Sequence, residues 1–62
     1  MFPMSEARFF VGRRVNVFLN DLSKLDRRSH EGVTLENVVG TRLKFAFGKV
    51  PIDHIQTMYP VD

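Results

Sequence analysis

Apolar and polar residues alternate through most of this chain. In residues 13–19 (RRVNVFL), Val15, Val17 and Leu19 fall on one side; Arg14, Asn16 and Phe18 fall on the other, and Asn20 continues that second set. A period of two marks a strand with one buried face. Phe18 breaks the polar face, and the expected contact for it is the N-terminal helix or another subunit. In residues 30–39 (HEGVTLENVV), Val33 and Leu35 share a face, and Gly32 inside the pattern predicts a bulge or sharp bend where another backbone comes close. Residues 41–47 (TRLKFAF) put Leu43, Phe45 and Phe47 on one face and Arg42, Lys44 and Ala46 on the other, with Gly48-Lys49 as the hairpin turn. Val50, Pro51 and Ile52 form a short strand that Pro51 confines to an edge or a bulge, because proline has no N–H for a ladder. Asp53-His54 predicts a tight turn. Residues 55–61 predict a last strand, with Ile55, Thr57 and Tyr59 on one side and Gln56 and Met58 on the other.

Ahead of these strands, residues 5–11 predict a short helix. Ser5 is its N-cap, Glu6 stands in the first turn, and Phe9, Phe10 and Val11 supply an apolar end that packs before Gly12 stops it. Residues 20–29 are polar, with Leu22 and Leu25 three apart, which fits a turn of helix or a continued, bulged strand. The expected fold class is mainly β: a short N-terminal helix plus five strongly bent antiparallel strands. Five such strands in so short a chain cannot make a wide flat sheet, and they are expected to close into a small barrel spanning residues 13–61.

Length and composition sharpen this picture. The chain has 62 residues, so a single domain, 1–62, is expected, and a chain this short buries only about 60% of its unfolded surface. Small domains lean on disulfides, a metal or oligomerisation. There is no cysteine, and His30 and His54 lie apart without a clustered ligand set, so neither a structural zinc nor any other cofactor is expected. Oligomerisation remains, or else a very well packed small core. No apolar run approaches the roughly 20 residues that span a bilayer, and the first ten residues lack the features of a signal peptide; a cytoplasmic location is expected. Nine Lys and Arg stand against seven Asp and Glu, a net charge of +2, which permits nucleic-acid binding without demanding it. Six of the nine cations are Arg, the better residue for phosphate forks and stacking.

Several motifs resemble those of the Sm/LSm superfamily, which includes the bacterial Hfq proteins. Gly12-Arg13-Arg14-Val15-Asn16-Val17-Phe18-Leu19 is similar to the strand that opens those barrels; Asp26 and Gly32 have the spacing of the acidic turn residue and glycine of the second strand; Ile55-Gln56-Thr57-Met58-Tyr59-Pro60 resembles the last strand. The chain departs from the family at three places. About five extra residues (NDLSK) follow the first strand. Glu36-Asn37-Val38-Val39-Gly40-Thr41 stands where the family has Asp-x-x-Met-Asn. Pro51-Ile52 and Ile52-Asp53 replace the Arg-Gly and Lys-His that cradle uridines. The resemblance implies an SH3-like barrel of the Sm type, from a divergent protein of bacterial or phage type. It also implies a homo-oligomeric ring of about five to seven subunits, closed by pairing the fourth strand of one subunit with the fifth of the next. Ile52, Met58, Tyr59 and Phe18 are the expected contacts at that seam.

The expected function is non-catalytic binding of single-stranded RNA. Arg42 and Lys44 share a strand face and, with Lys49, form a candidate basic stripe; Asn37 and Arg42 flank the loop that the resemblance makes a base-binding loop, and His54 is a candidate pore-facing contact. Arg27 and Arg28 belong to a turn expected at the outer rim, where they bind phosphate by charge or simply pair with Asp26 and Glu31. No motif supports an enzyme: Ser29, His30 and Glu31 are adjacent, and neighbours on a strand point to opposite faces. The alternative is a structural or adaptor ring subunit that binds a protein partner, with Phe2, Phe9, Phe10 and Phe18 as its contacts.

Overall fold

A computed structural model describes residues 2–61; Met1 and Asp62, the ends of the expected single domain, lie outside the described residues. The chain is mainly β. A one-turn helix α1 (Met4–Ala7) runs into a 3-10 turn (Arg8–Phe10). Six strands follow: β1 (Arg14–Leu19), β2 (Ser29–Thr34), β3 (Asn37–Val39), β4 (Arg42–Phe45), β5 (Gly48–Pro51) and β6 (Ile55–Pro60), with a 3-10 turn (Ile52–His54) between the last two. They form two three-stranded antiparallel sheets, ordered β2-β1-β6 and β3-β4-β5. No ladder among the described residues joins the outer strands β5 and β6. No helix among them is long and apolar enough to cross a membrane.

The expected strand over residues 30–39 is divided between the sheets. Leu35 exchanges backbone bonds with the residues leading into β1: Gly12 N–H donates to its carbonyl (2.7 Å), and its own N–H donates to Arg13 (3.1 Å). One residue later, Glu36 N–H donates to Lys44 of β4 (2.8 Å). The chain therefore changes sheets between Leu35 and Glu36 with its backbone groups satisfied on both sides, as a buried corner requires. The Leu35 side chain is fully buried.

The alternation in β1 holds: Val15, Val17 and Leu19 are buried, as are Leu43 and Phe45 of β4 and Val50 of β5. Two bulges reset the phase elsewhere. Opposite β1, Val15 pairs with Val33 but Val17 with His30, so Gly32 and Glu31 together face Asn16. Gly32 has φ +66° and its N–H donates to Asn16 Oδ1 (2.9 Å), which satisfies a donor the bulge takes out of the ladder. The close approach at Gly32 is a side chain and not a backbone: an added Cβ would lie 2.9 Å from the Arg14 guanidinium. In β6, Phe18 pairs with Thr57 but Leu19 with Ile55, leaving Gln56 as the extra residue. That insertion overturns the expected alternation of the last strand. Ile55 and Met58 are buried, while Thr57 and Tyr59 are exposed.

Three other expectations change. The helix starts at Met4 behind Pro3, whose fixed φ suits that position; Ser5 lies inside the first turn and no side chain caps the helix. Ala7 is buried and Phe10 packs on the core, but Phe9 is 79% exposed. The β4–β5 hairpin turns at Ala46-Phe47, because Phe45 pairs with Gly48 and Lys44 with Lys49; Gly48 and Lys49 belong to β5. Phe18 finds a ring partner in Tyr59, stacked at 5.9 Å.

A β-carbon at Gly32 would face left-handed strain. Gly32→Ala is expected to cost about 1–2 kcal/mol, read as a lower urea midpoint at unchanged slope.

Candidate nucleic-acid interface

The outer face of sheet β3-β4-β5 is built by register. Asn37, Lys44 and Lys49 lie abreast on the three strands, and one row away Val39, Arg42 and Pro51 do the same. Side chains two apart on a strand share a face, so Arg42 and Lys44 both stand opposite the buried Leu43 and Phe45. The two-residue connection Gly40-Thr41, with Gly40 at φ +60°, fixes the first pairing, and Ala46-Phe47 fixes the second. Four of the five candidate RNA contacts, Asn37, Arg42, Lys44 and Lys49, thus meet on one exposed face. The fifth does not. His54 ends the 3-10 turn beyond β5, where its carbonyl accepts from Asn20 N–H (2.9 Å).

The charges on this face are not equivalent. Lys44 Nζ bonds Glu36 Oε1 at 2.9 Å, an exposed pair. Among the described residues, Arg42 and Lys49 have no carboxylate partner, so their charge is open to solvent. Asn37 accepts the N–H of Val38 at its Oδ1 (2.8 Å), which leaves its amide NH2 as a donor. The face therefore presents two open cations, one compensated cation and an amide, with Val39 and Pro51 as apolar ground between them. A polyanion with flat apolar bases matches that chemistry.

The candidate seam residues divide. Ile52 and Met58 are buried in the chain's own core. The Gln56 bulge turns Met58 inward. Tyr59 is half-exposed and, with Phe18, forms an aromatic pair on the outer face of β1 and β6. The turn arginines find partners other than those expected: Arg28 Nη1 bonds Asp21 Oδ1 (2.6 Å), and Arg27 Nε donates to the carbonyl of Ser29 (2.9 Å). Of the aromatic residues expected as partner contacts, Phe2 and Phe10 pack on the core and each other, leaving Phe9 and the partly exposed Phe18.

The alternating pattern places Phe47 with Leu43 and Phe45, but Phe47 is not core. It leaves the strand at the hairpin tip, 37% exposed, and stacks nearly parallel on His30 (4.1 Å, 9°) and on the buried Phe45 (5.1 Å, 6°). His30 Nε2 also meets the carbonyl of Arg27 at 2.9 Å. The column joins the tip of one sheet to β2 of the other. A two-residue turn after Phe45 was the sequence signal for it, hidden because Gly48 offers a more familiar turn. Among the described residues, no group of three or more His, Cys, Asp or Glu could hold a metal ion. No protein-family model, curated protein or solved structure matches the chain.

Removing the Glu36 carboxylate charge releases Lys44. Glu36→Gln is expected to tighten binding of short single-stranded RNA, measured by fluorescence anisotropy at low salt, while changing folding stability by less than about 1 kcal/mol, as suits an exposed pair.

Proposed function

We propose that this chain is a non-catalytic, single-stranded-RNA-binding protein of Sm-like architecture that assembles as a homo-oligomeric ring. The observation that carries the reading is the row Asn37–Lys44–Lys49 with Arg42 beside it, cations and an amide held in register on a rigid three-stranded face. Phosphate contacts by Arg42 and Lys49 position a strand; Asn37 and the apolar ground at Val39 and Pro51 meet bases. Counting β2 and β3 as one bent strand gives five, the number an SH3-like barrel requires, and the single 3-10 turn between β5 and β6 is as short as that barrel needs.

Ring assembly rests on the sheet edges. β5 pairs only with β4, and β6 only with β1. Each leaves a row of backbone donors and acceptors open, and such edges invite another chain. Pairing β5 of one copy with β6 of the next is a head-to-tail contact, and repetition closes it into a ring. Tyr59 and Phe18 are its candidate side-chain contacts. Small size favours the same outcome, since assembly adds apolar burial that a 62-residue chain lacks. In the second reading, an adaptor ring that binds a protein and no RNA, Phe9, 79% exposed, is the side chain such a partner would meet.

Salt separates the two. RNA binding releases counterions and weakens steeply with salt, whereas docking through Phe9 does not. Arg42→Ala is expected to weaken oligouridine binding and to lower the slope of log affinity against log salt by about 0.7, the share of one phosphate contact on a single strand, with the oligomer intact. Unchanged affinity would overturn the assignment of Arg42. Tyr59→Asp is expected to reduce the mass in solution by light scattering while circular dichroism stays β-rich; a mutant of native mass would remove Tyr59 from the seam.

A further inference from the structure

Loop 20–28 and β5 flank an open cleft of about 250 Å³. Ser23, Lys24 and Leu25 come from the loop, Lys49, Val50 and Pro51 from β5, and His54 from the 3-10 turn. The loop is tied in place. Asn20 accepts Leu22 N–H at its Oδ1 (2.9 Å), donates from its amide to the carbonyl of Asp53 (2.7 Å), and donates its own N–H to the carbonyl of His54. The largely buried Ser23 accepts Leu25 N–H at its Oγ (3.2 Å). The cleft is therefore formed before any ligand arrives.

Its chemistry is one-sided. Lys24 and Lys49 bring positive charge, His54 an imidazole, Leu25 and Pro51 apolar surface, and no carboxylate lines it; Val50 contributes only backbone, its side chain being buried in the core. Neither lysine has a carboxylate partner among the described residues. Lysine binds phosphate as a point charge. The matching ligand joins an anion to a flat, mostly apolar body, and the volume, below the roughly 300–1,000 Å³ of drug-sized sites, admits one such unit and not a run of them.

We infer that this cleft holds one nucleotide, its phosphate between Lys24 and Lys49 and its base against Leu25 and Pro51. The inference rests on the RNA-binding reading and extends it from the outer face of β3-β4-β5 around the edge of β5, with Lys49 common to both. The strand β6 (IQTMYP) that would pair along β5 in a ring carries no carboxylate of its own to neutralise these lysines.

The test is a titration of ¹⁵N-labelled protein with inorganic phosphate, uridine monophosphate and a short oligouridine, in wild type, Lys24→Ala and Leu25→Ala. Both substituted residues sit in an exposed loop where the fold tolerates truncation. Backbone amides of Leu25, Lys49 and His54 are expected to shift with all three ligands, most with those carrying a base. Lys24→Ala is expected to weaken binding of the monophosphate and the oligouridine about tenfold, the worth of one charged contact. Leu25→Ala is expected to weaken the monophosphate but not phosphate. Tight binding of oligouridine alone identifies a unit of a strand; comparable binding of the monophosphate identifies a free nucleotide. Oligouridine that binds wild type and Lys24→Ala equally, without shifts in the cleft, overturns the inference and leaves the outer face standing. If no oligouridine binds, the RNA reading falls, and the monophosphate decides the cleft: binding that Lys24→Ala weakens upholds it, and no binding overturns it.

Discussion

The bend at Leu35–Glu36 governs the architecture. One strand serves two sheets there, and the change costs little because Leu35 bonds back to Gly12 and Arg13 while Glu36 bonds forward to Lys44. Both backbone groups of the buried Leu35 and the N–H of Glu36 keep partners through the corner. The same bend carries Leu35 into the core between the sheets, beside Val15, Leu43 and Phe45. It also sets which way β3-β4-β5 faces. With Leu43, Phe45 and Val50 committed inward, the alternate positions have nowhere to go but outward, and Asn37, Arg42, Lys44 and Lys49 occupy them.

Two smaller clasps keep that geometry from loosening. At the hairpin tip, the column of His30, Phe47 and Phe45 ties the second sheet to β2. At the far side, Asn20 ties the exit of β1 to the turn before β6 through its backbone and its amide. Between them lies β5, bonded on one side only, with basic chemistry on its face and at its edge. Rigid surroundings and an open edge are the combination in which a short strand can recruit either a partner chain or a ligand without rearranging its own core.

Much of this was legible in the sequence, and the failures have local causes. Val15, Val17, Leu19, Leu43 and Phe45 are read correctly because an uninterrupted period of two leaves no ambiguity about the buried face. Gly32 is read as a bulge because a glycine inside a strand has few other meanings. The bulge at Gln56 has no such marker. An ordinary polar residue steps out of the ladder, and every assignment after it inverts, which is why Met58 faces the core. Phe47 is misread because alternation was carried two residues past the end of β4. On the basic face, Arg42 and Lys44 follow from alternation; Asn37 follows only from the resemblance, Lys49 is expected in a turn and stands in β5 instead, and Lys24 is invisible to any pattern. Its place beside Lys49 depends on how Asn20 folds a loop back across β5.

The two sheets also differ in how far apart their partners stand along the chain. β3, β4 and β5 follow one another through two-residue turns, so their pairings are among near neighbours. The other sheet must bring together residues as distant as Val15 and Pro60. Closing a long loop costs more entropy than closing a short one, and a hairpin forms in about 1–10 μs. On a nascent or refolding chain, the basic sheet can therefore exist as a meander while β1 still waits for β6. Until β6 arrives, β1 has one flank uncovered, and the chain is most exposed to pairing with the wrong neighbour. The strand whose outer edge is proposed to recruit the next subunit is thus also the one that completes the first.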